Sequence, residues 1–140
     1  MVEKSVITRR LAYLDEYCRD LEEARTKVSW EQFSNDKVVR RYIERTLHMA
    51  IEACIDIANH IIAYHGYREP ESNRELFQIL MEQGIIPNKL AENLKKMAQF
   101  RNIIVNDYIR IQPEIVYAIL KNNLTDIIEY ANIVKEKFLR

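Results

Sequence analysis

Apolar positions recur every three to four residues along almost the whole chain, and no stretch alternates residue by residue, so the pattern predicts helices throughout. From about Glu3 to Thr26, Val6, Leu11, Leu14, Tyr17, Cys18 and Leu21 repeat at helical spacing among charged residues, which describes an amphipathic first helix. Ser29 to Phe33 adds a short turn. Val38, Val39, Tyr42, Ile43, Leu47, Ala50, Ile51, Cys54, Ile55, Ala58, Ile61 and Ile62 then form an apolar stripe with no breaker before Gly66. Ser34, Asn35 or Asp36 is suited to cap its start, and Gly66 to take the left-handed position at its end. This long helix is the expected backbone of the fold.

Ser72-Asn73-Arg74-Glu75 has the spacing of a capping box, and the short helix it opens should stop near Gly84. Pro87 fits a first helical turn, where its missing N–H is not needed, and Leu90, Leu94, Met97, Ile104 and Val105 continue that helix's apolar face. Pro113 starts the last helix in the same way, with Ile115, Val116, Ile119, Leu120, Leu124, Ile127, Ile128, Ala131, Val134 and Phe138 facing inward. The expected architecture is a single all-α domain over 1–140, an up-and-down bundle of four long helices plus one short one.

Composition narrows the function classes. Only 2 Gly and 3 Pro occur, which leaves little turn chemistry. Lys plus Arg equals Asp plus Glu at 21 each, so a nucleic acid would have to be gripped by a local basic cluster and not by the overall field. Arg9, Arg10, Arg40, Arg41 and Arg45 offer such charge, or simply line a solvated face. Cys18 and Cys54 sit inside helices without a C-x-x-C pair and read as buried thiols, not a disulfide or a thiolate metal site. The charged segment Met1 to Arg10 lacks a signal-peptide core, and no apolar run approaches a membrane span. A soluble, cytoplasmic protein with no membrane partner is expected.

One stretch carries more than packing: Phe100-Arg101-Asn102-Ile103-Ile104-Val105-Asn106-Asp107-Tyr108-Ile109-Arg110-Ile111. At about 100° per residue, Arg101 and Tyr108 fall about 20° apart, on the face of Leu94, Met97 and Val105. A guanidinium there must find an anion, because burying it unpaired costs several kcal/mol. Lys95, Gln99, Asn102 and Asn106 form a polar stripe beside it. Arg101 therefore either pairs with a carboxylate of the long helix or faces a groove that takes an anion. His48, Glu52, Asp56 and His60 recur every four residues, yet four turns spread them over about 18 Å, too far for one metal ion. Glu52 or Asp56 is instead expected to pair with Arg101 and orient it. His65 beside Gly66 reads as structural. No Gly-rich phosphate loop, Ser/His/Asp arrangement or Cys/His pair is present.

Phe100-Arg101-Asn102, Val105-x-x-Tyr108 and Pro113-Glu114-Ile115-Val116-Tyr117 resemble the signature region of the HepT-like toxins of the HEPN superfamily. Helix order, Ala50-Ile51-Glu52 with Asp56, and Gly84-Ile85-Ile86-Pro87 before the motif helix resemble that family too, so the likeness covers nearly the full chain. It implies an all-helical homodimer that cleaves RNA as a metal-independent, cofactor-free endoribonuclease. The family pattern is Arg, four residues, His, any residue, Tyr. Arg101 and Tyr108 match, whereas Asn106 stands at the His position.

The implied mechanism is attack of the RNA 2′-hydroxyl on the adjacent phosphate, with the His moving protons and the Arg stabilising phosphoryl charge. Imidazole titrates near neutrality and an amide does not, so Asn106 can bind a phosphate or ribose hydroxyl without activating it. The expected cost is on the order of 10²–10⁴ in rate, whether the Asn is native or a deliberate disarming. Arg101 and Asn106 diverge by about 140° on one helix, and two copies meeting across a two-fold axis would let their side chains converge. The resemblance also implies a minimal nucleotidyltransferase antitoxin that adds AMP to the motif tyrosine, here Tyr108. Alternatively, Tyr108 is half-buried and hydrogen-bonded at the helix end. The competing reading of the whole chain is a non-enzymatic helical homodimer that binds a nucleotidyltransferase or another protein.

Overall fold

In the computed structural model, residues 2–105 and 112–139 are described, and they form seven helices with no strand among them. These are α1 (Val2–Lys27), α2 (Trp30–Asn35), α3 (Lys37–His65), α4 (Asn73–Glu82), α5 (Asn88–Val105), α6 (Pro113–Asn122) and α7 (Leu124–Phe138). α3 is the post around which α1, α2, α4, α5 and α7 pack. The all-α architecture is the one the apolar periodicity implies.

Local chemistry sets the boundaries. Of the three candidate caps for α3, Asp36 acts: its Oδ1 accepts from the Val38 and Val39 amides at 3.0 and 3.2 Å. Gly66 ends α3 at φ 69°, a conformation that costs a side-chain-bearing residue energy, and the Tyr67 amide donates back to the Ile62 carbonyl at 3.1 Å. Ser72 caps α4 through its hydroxyl. Glu75 serves the residue before the cap, accepting from the Glu71 amide at 3.1 Å and from Arg68 at 2.9 Å. Gly84, at φ 72°, turns the chain between α4 and α5.

Two expectations need correction. The segment from Pro113 is not one helix but two, broken at Asn123. Two adjacent asparagines are weak helix formers, and Asp126 draws hydrogen bonds from both the Asn123 side chain and Asn93 of α5, each at 3.2 Å. Val38, Tyr42 and Ile115, expected to face inward, are 79%, 52% and 37% exposed. Val38 and Ile115 lie in the first turns of α3 and α6, and Val38 and Tyr42 rim a groove beside Ala24 of α1 and Val28, which follows it.

The core draws on every helix and includes Leu14, Leu47, Ile57, Ile61, Leu76, Phe77, Leu94, Leu120 and Ile127. Tyr130, absent from the expected apolar set, is fully buried and donates its hydroxyl to the Cys54 carbonyl at 3.0 Å. Cys18 and Cys54 are buried free thiols, as their helix positions implied. No helix among the described residues is long and apolar enough to cross a membrane.

Candidate functional site

The middle of α3 presents His48, Glu52, Asp56 and His60 on one partly solvated face, one residue per turn. Helices on either side each send an arginine to it. Arg101, from α5, donates its Nε to Glu52 Oε1; Arg10, from α1, places its Nε against Asp56 Oδ2. His48 Nε2 lies 3.4 Å from Glu52, and His60 Nε2 3.7 Å from Asp56. The ladder thus closes into two adjacent carboxylate clusters, each with an arginine and a histidine. No group of three or more His, Cys, Asp or Glu among the described residues converges as a metal site would.

Glu52 is the expected partner of Arg101, and Asp56 serves Arg10 instead. The Arg101 side chain is 31% exposed, so its charge is oriented by Glu52 but still meets solvent. A half-solvated guanidinium held by one nitrogen remains a planar donor fork for a phosphate. Arg101 also approaches Asn102 Oδ1 at 3.4 Å. Asn106 and Tyr108 lie outside the described residues.

The remaining candidates disperse. Lys95 turns from the polar stripe towards α4, reaching Gln78, and pairs with Glu92 at 3.0 Å. Arg40 donates to the Phe33 and Ser34 carbonyls at 3.4 and 2.9 Å, closing the end of α2, and Arg10 is committed to Asp56. Arg9, Arg41 and Arg45 stay on the exposed surface. His65 stacks on Tyr67 at 5.2 Å and touches Tyr64 and Phe138, a structural contact as expected. Sequence reasoning missed the Arg10–Asp56 pair, since nothing local in either helix announces it. It also missed a groove of about 360 Å³ between α1 and α3, lined by Arg10, Tyr13, Tyr17, Met49, Glu52, Ala53, Ile55, Asp56 and Asn59.

The model of a family described as ribonuclease HepT-like matches residues 14–134. The mRNA nuclease HepT of Shewanella oneidensis is 36% identical over 104 residues, spanning 74% of this chain and 78% of that protein. The tRNA nuclease HepT of Aphanizomenon flos-aquae is 26% identical over 116 residues, 83% of this chain and 78% of that one. Among solved structures, the tri-AMPylated Shewanella oneidensis HEPN toxin in complex with MNT antitoxin superposes with a TM-score of 0.84 at 30% identity, covering 94% of this chain and 98% of the toxin. A toxin-antitoxin with AMP-PNP gives a TM-score of 0.86 at 29% identity, with 95% and 99% covered.

Proposed function

The chain belongs to the HepT-like ribonuclease family, and we propose that, as one domain over 1–140, it is the toxin subunit of a toxin–antitoxin pair built on a metal-independent endoribonuclease site that Asn106 leaves slow or silent. The observation that carries this reading is the Arg101–Glu52 pair: a motif arginine held at one nitrogen by the post of the bundle while its charge meets solvent. In the reaction, the RNA 2′-oxygen attacks the neighbouring phosphorus and the 5′-oxygen of the next nucleotide leaves. Arg101 stabilises the charge that builds on the non-bridging oxygens. Glu52 fixes its orientation, Asn102 adds a polar contact, and Asp56 holds the flank through Arg10. One proton must leave the 2′-hydroxyl and one must reach the leaving oxygen. Asn106 can hydrogen-bond either group but transfers no proton, hence the lost rate.

The test is cleavage of a mixed RNA in EDTA by the chain as it stands, by Asn106→His and by Asn106→His with Arg101→Ala. Cutting by the histidine form alone, faster by about 10²–10⁴, is expected. If neither form cuts, the enzyme reading is lost and a non-enzymatic dimer that binds its partner protein replaces it; the amide at Asn106 is the feature that favours that second reading.

The partner in this proposal is a minimal nucleotidyltransferase, supported by the AMPylated toxin and MNT antitoxin complex that this chain resembles. The Tyr108 phenol oxygen would attack the α-phosphorus of ATP, releasing its proton and pyrophosphate and leaving an anionic AMP that repels RNA. Label from α-labelled ATP that persists in Tyr108→Phe would remove this step. The active unit is a homodimer, and a monomer mass in sedimentation at micromolar concentration would contradict it.

A further inference from the structure

We infer that the groove between α1 and α3 is a nucleobase subsite, taking one unstacked base of a single-stranded RNA whose phosphate is gripped by Arg101. It rests on the ribonuclease reading and adds to it the residues that select a base. The groove encloses about 360 Å³ and is continuous with the arginine site through a single side chain, since Glu52 both lines it and holds Arg101. A strand anchored at Arg101 therefore has this cavity within reach of its next base.

The lining suits a base and not a phosphate. Glu52 and Asp56 bring two carboxylates to the groove against one guanidinium, Arg10, so a polyanion gains little by entering. A neutral base with exocyclic amino donors meets carboxylate acceptors. Tyr13 and Tyr17 stand one turn apart on α1 and so share a face. Tyr13 is 48% exposed and lines the groove, so it turns an aromatic surface to water there. Every base has a π-face that such a ring can stack on. Asn59, exposed at the far end, carries a donor and an acceptor on one amide, the pair needed to read a base edge. Only an unpaired strand can present a base in this way, because a duplex keeps its bases stacked and its major groove closed to side chains.

The experiment is fluorescence anisotropy of the intact chain with a short single-stranded RNA, and with the same RNA made abasic at each position in turn. Tyr13→Ala should weaken binding of the intact RNA by about tenfold, while Tyr13→Phe, which keeps the ring, stays near the parent. One abasic position should weaken the parent by a similar factor, and on that probe Tyr13→Ala should cause no further loss. Losses that multiply, or no effect of Tyr13→Ala on either probe, would overturn the subsite. If RNA binding depends on Arg101 but ignores Tyr13, the subsite alone is lost. If no RNA binds, or Arg101→Ala changes nothing, the ribonuclease reading falls with it. A Tyr13→Ala protein of lower sedimentation mass and unchanged RNA affinity would make the groove a seam between two copies of the chain, which also overturns the proposal.

Discussion

Cys54 lies between Glu52 and Asp56 in sequence, yet the two faces of α3 on which they stand are held by opposite means. The Cys54 face is dry: Ala50, Cys54, Ile57, Ala58 and Ile61 are buried, and its polar groups are satisfied in place, the Tyr130 hydroxyl on the Cys54 carbonyl and the Thr46 hydroxyl on the Tyr42 carbonyl. Burial pushes both that phenol and that thiol well above their ordinary pKa, so both stay neutral. On the other face Glu52 and Asp56 remain 36% and 39% exposed and balance their charge with Arg101 and Arg10. Packing fixes the first face, and Coulomb attraction in partial solvent orients the second. Half-exposed ion pairs contribute only about 0–1 kcal/mol each, so the charged face can be spent on chemistry at small cost to the fold.

The contrast is sharpest in two truncations on the same helix. Ile57→Ala removes a fully buried side chain and should cost about 2–5 kcal/mol in denaturant unfolding. Glu52→Ala should cost less than about 1 kcal/mol, yet lower RNA cleavage in the Asn106→His background, where Arg101 loses its anchor. Equal destabilisation by the two would erase the distinction between the faces. An effect smaller than that of Ile57→Ala is expected from Tyr130→Phe, about 1 kcal/mol by the same unfolding assay, because the Cys54 carbonyl loses one donor while the ring keeps its packing against Phe77.

The dry face was far more legible in the sequence than the charged one. Apolar spacing alone located the stripe from Val38 to Ile62, exposed only at Val38 and Tyr42 near its start, because a helix surrounded by other helices must repeat its buried residues every three to four positions. Gly66, Ser72 and Gly84 marked boundaries through chemistry that acts within four residues. The charged face was half legible. The i,i+4 ladder placed Glu52 and Asp56 side by side, and an arginine on an apolar face demanded a carboxylate, but spacing could not say which arginine each would take. Arg10 reaches Asp56 from another helix, 46 residues away in sequence, and only the packing of α1 on α3 brings them together. The break at Asn123 was missed for the same reason, since Asn93 and Asp126 meet only after α5 and α7 have docked.

Cys18 tests the boundary between the two regimes, because it is buried on α1 and still feels charge. Its thiol is pushed up to about 12 from 9.0, by burial first and then by Asp15 and Glu22, with Lys135 opposing. A folded pKa raised above the unfolded one means that the folded chain holds the proton more tightly. The associated stability is complete below about pH 9 and is lost as pH rises from there towards about 12. Cys54 and Tyr130 act in the same direction, so the quantity to measure is a difference. At about pH 7 the parent should be more stable than Cys18→Ala, which leaves a small cavity, and this gap should shrink as pH approaches about 10.5. A gap that is the same at both ends of that range would mean that the thiol ionises as easily in the fold as out of it, and that the dry seam does not extend from α3 to this turn of α1.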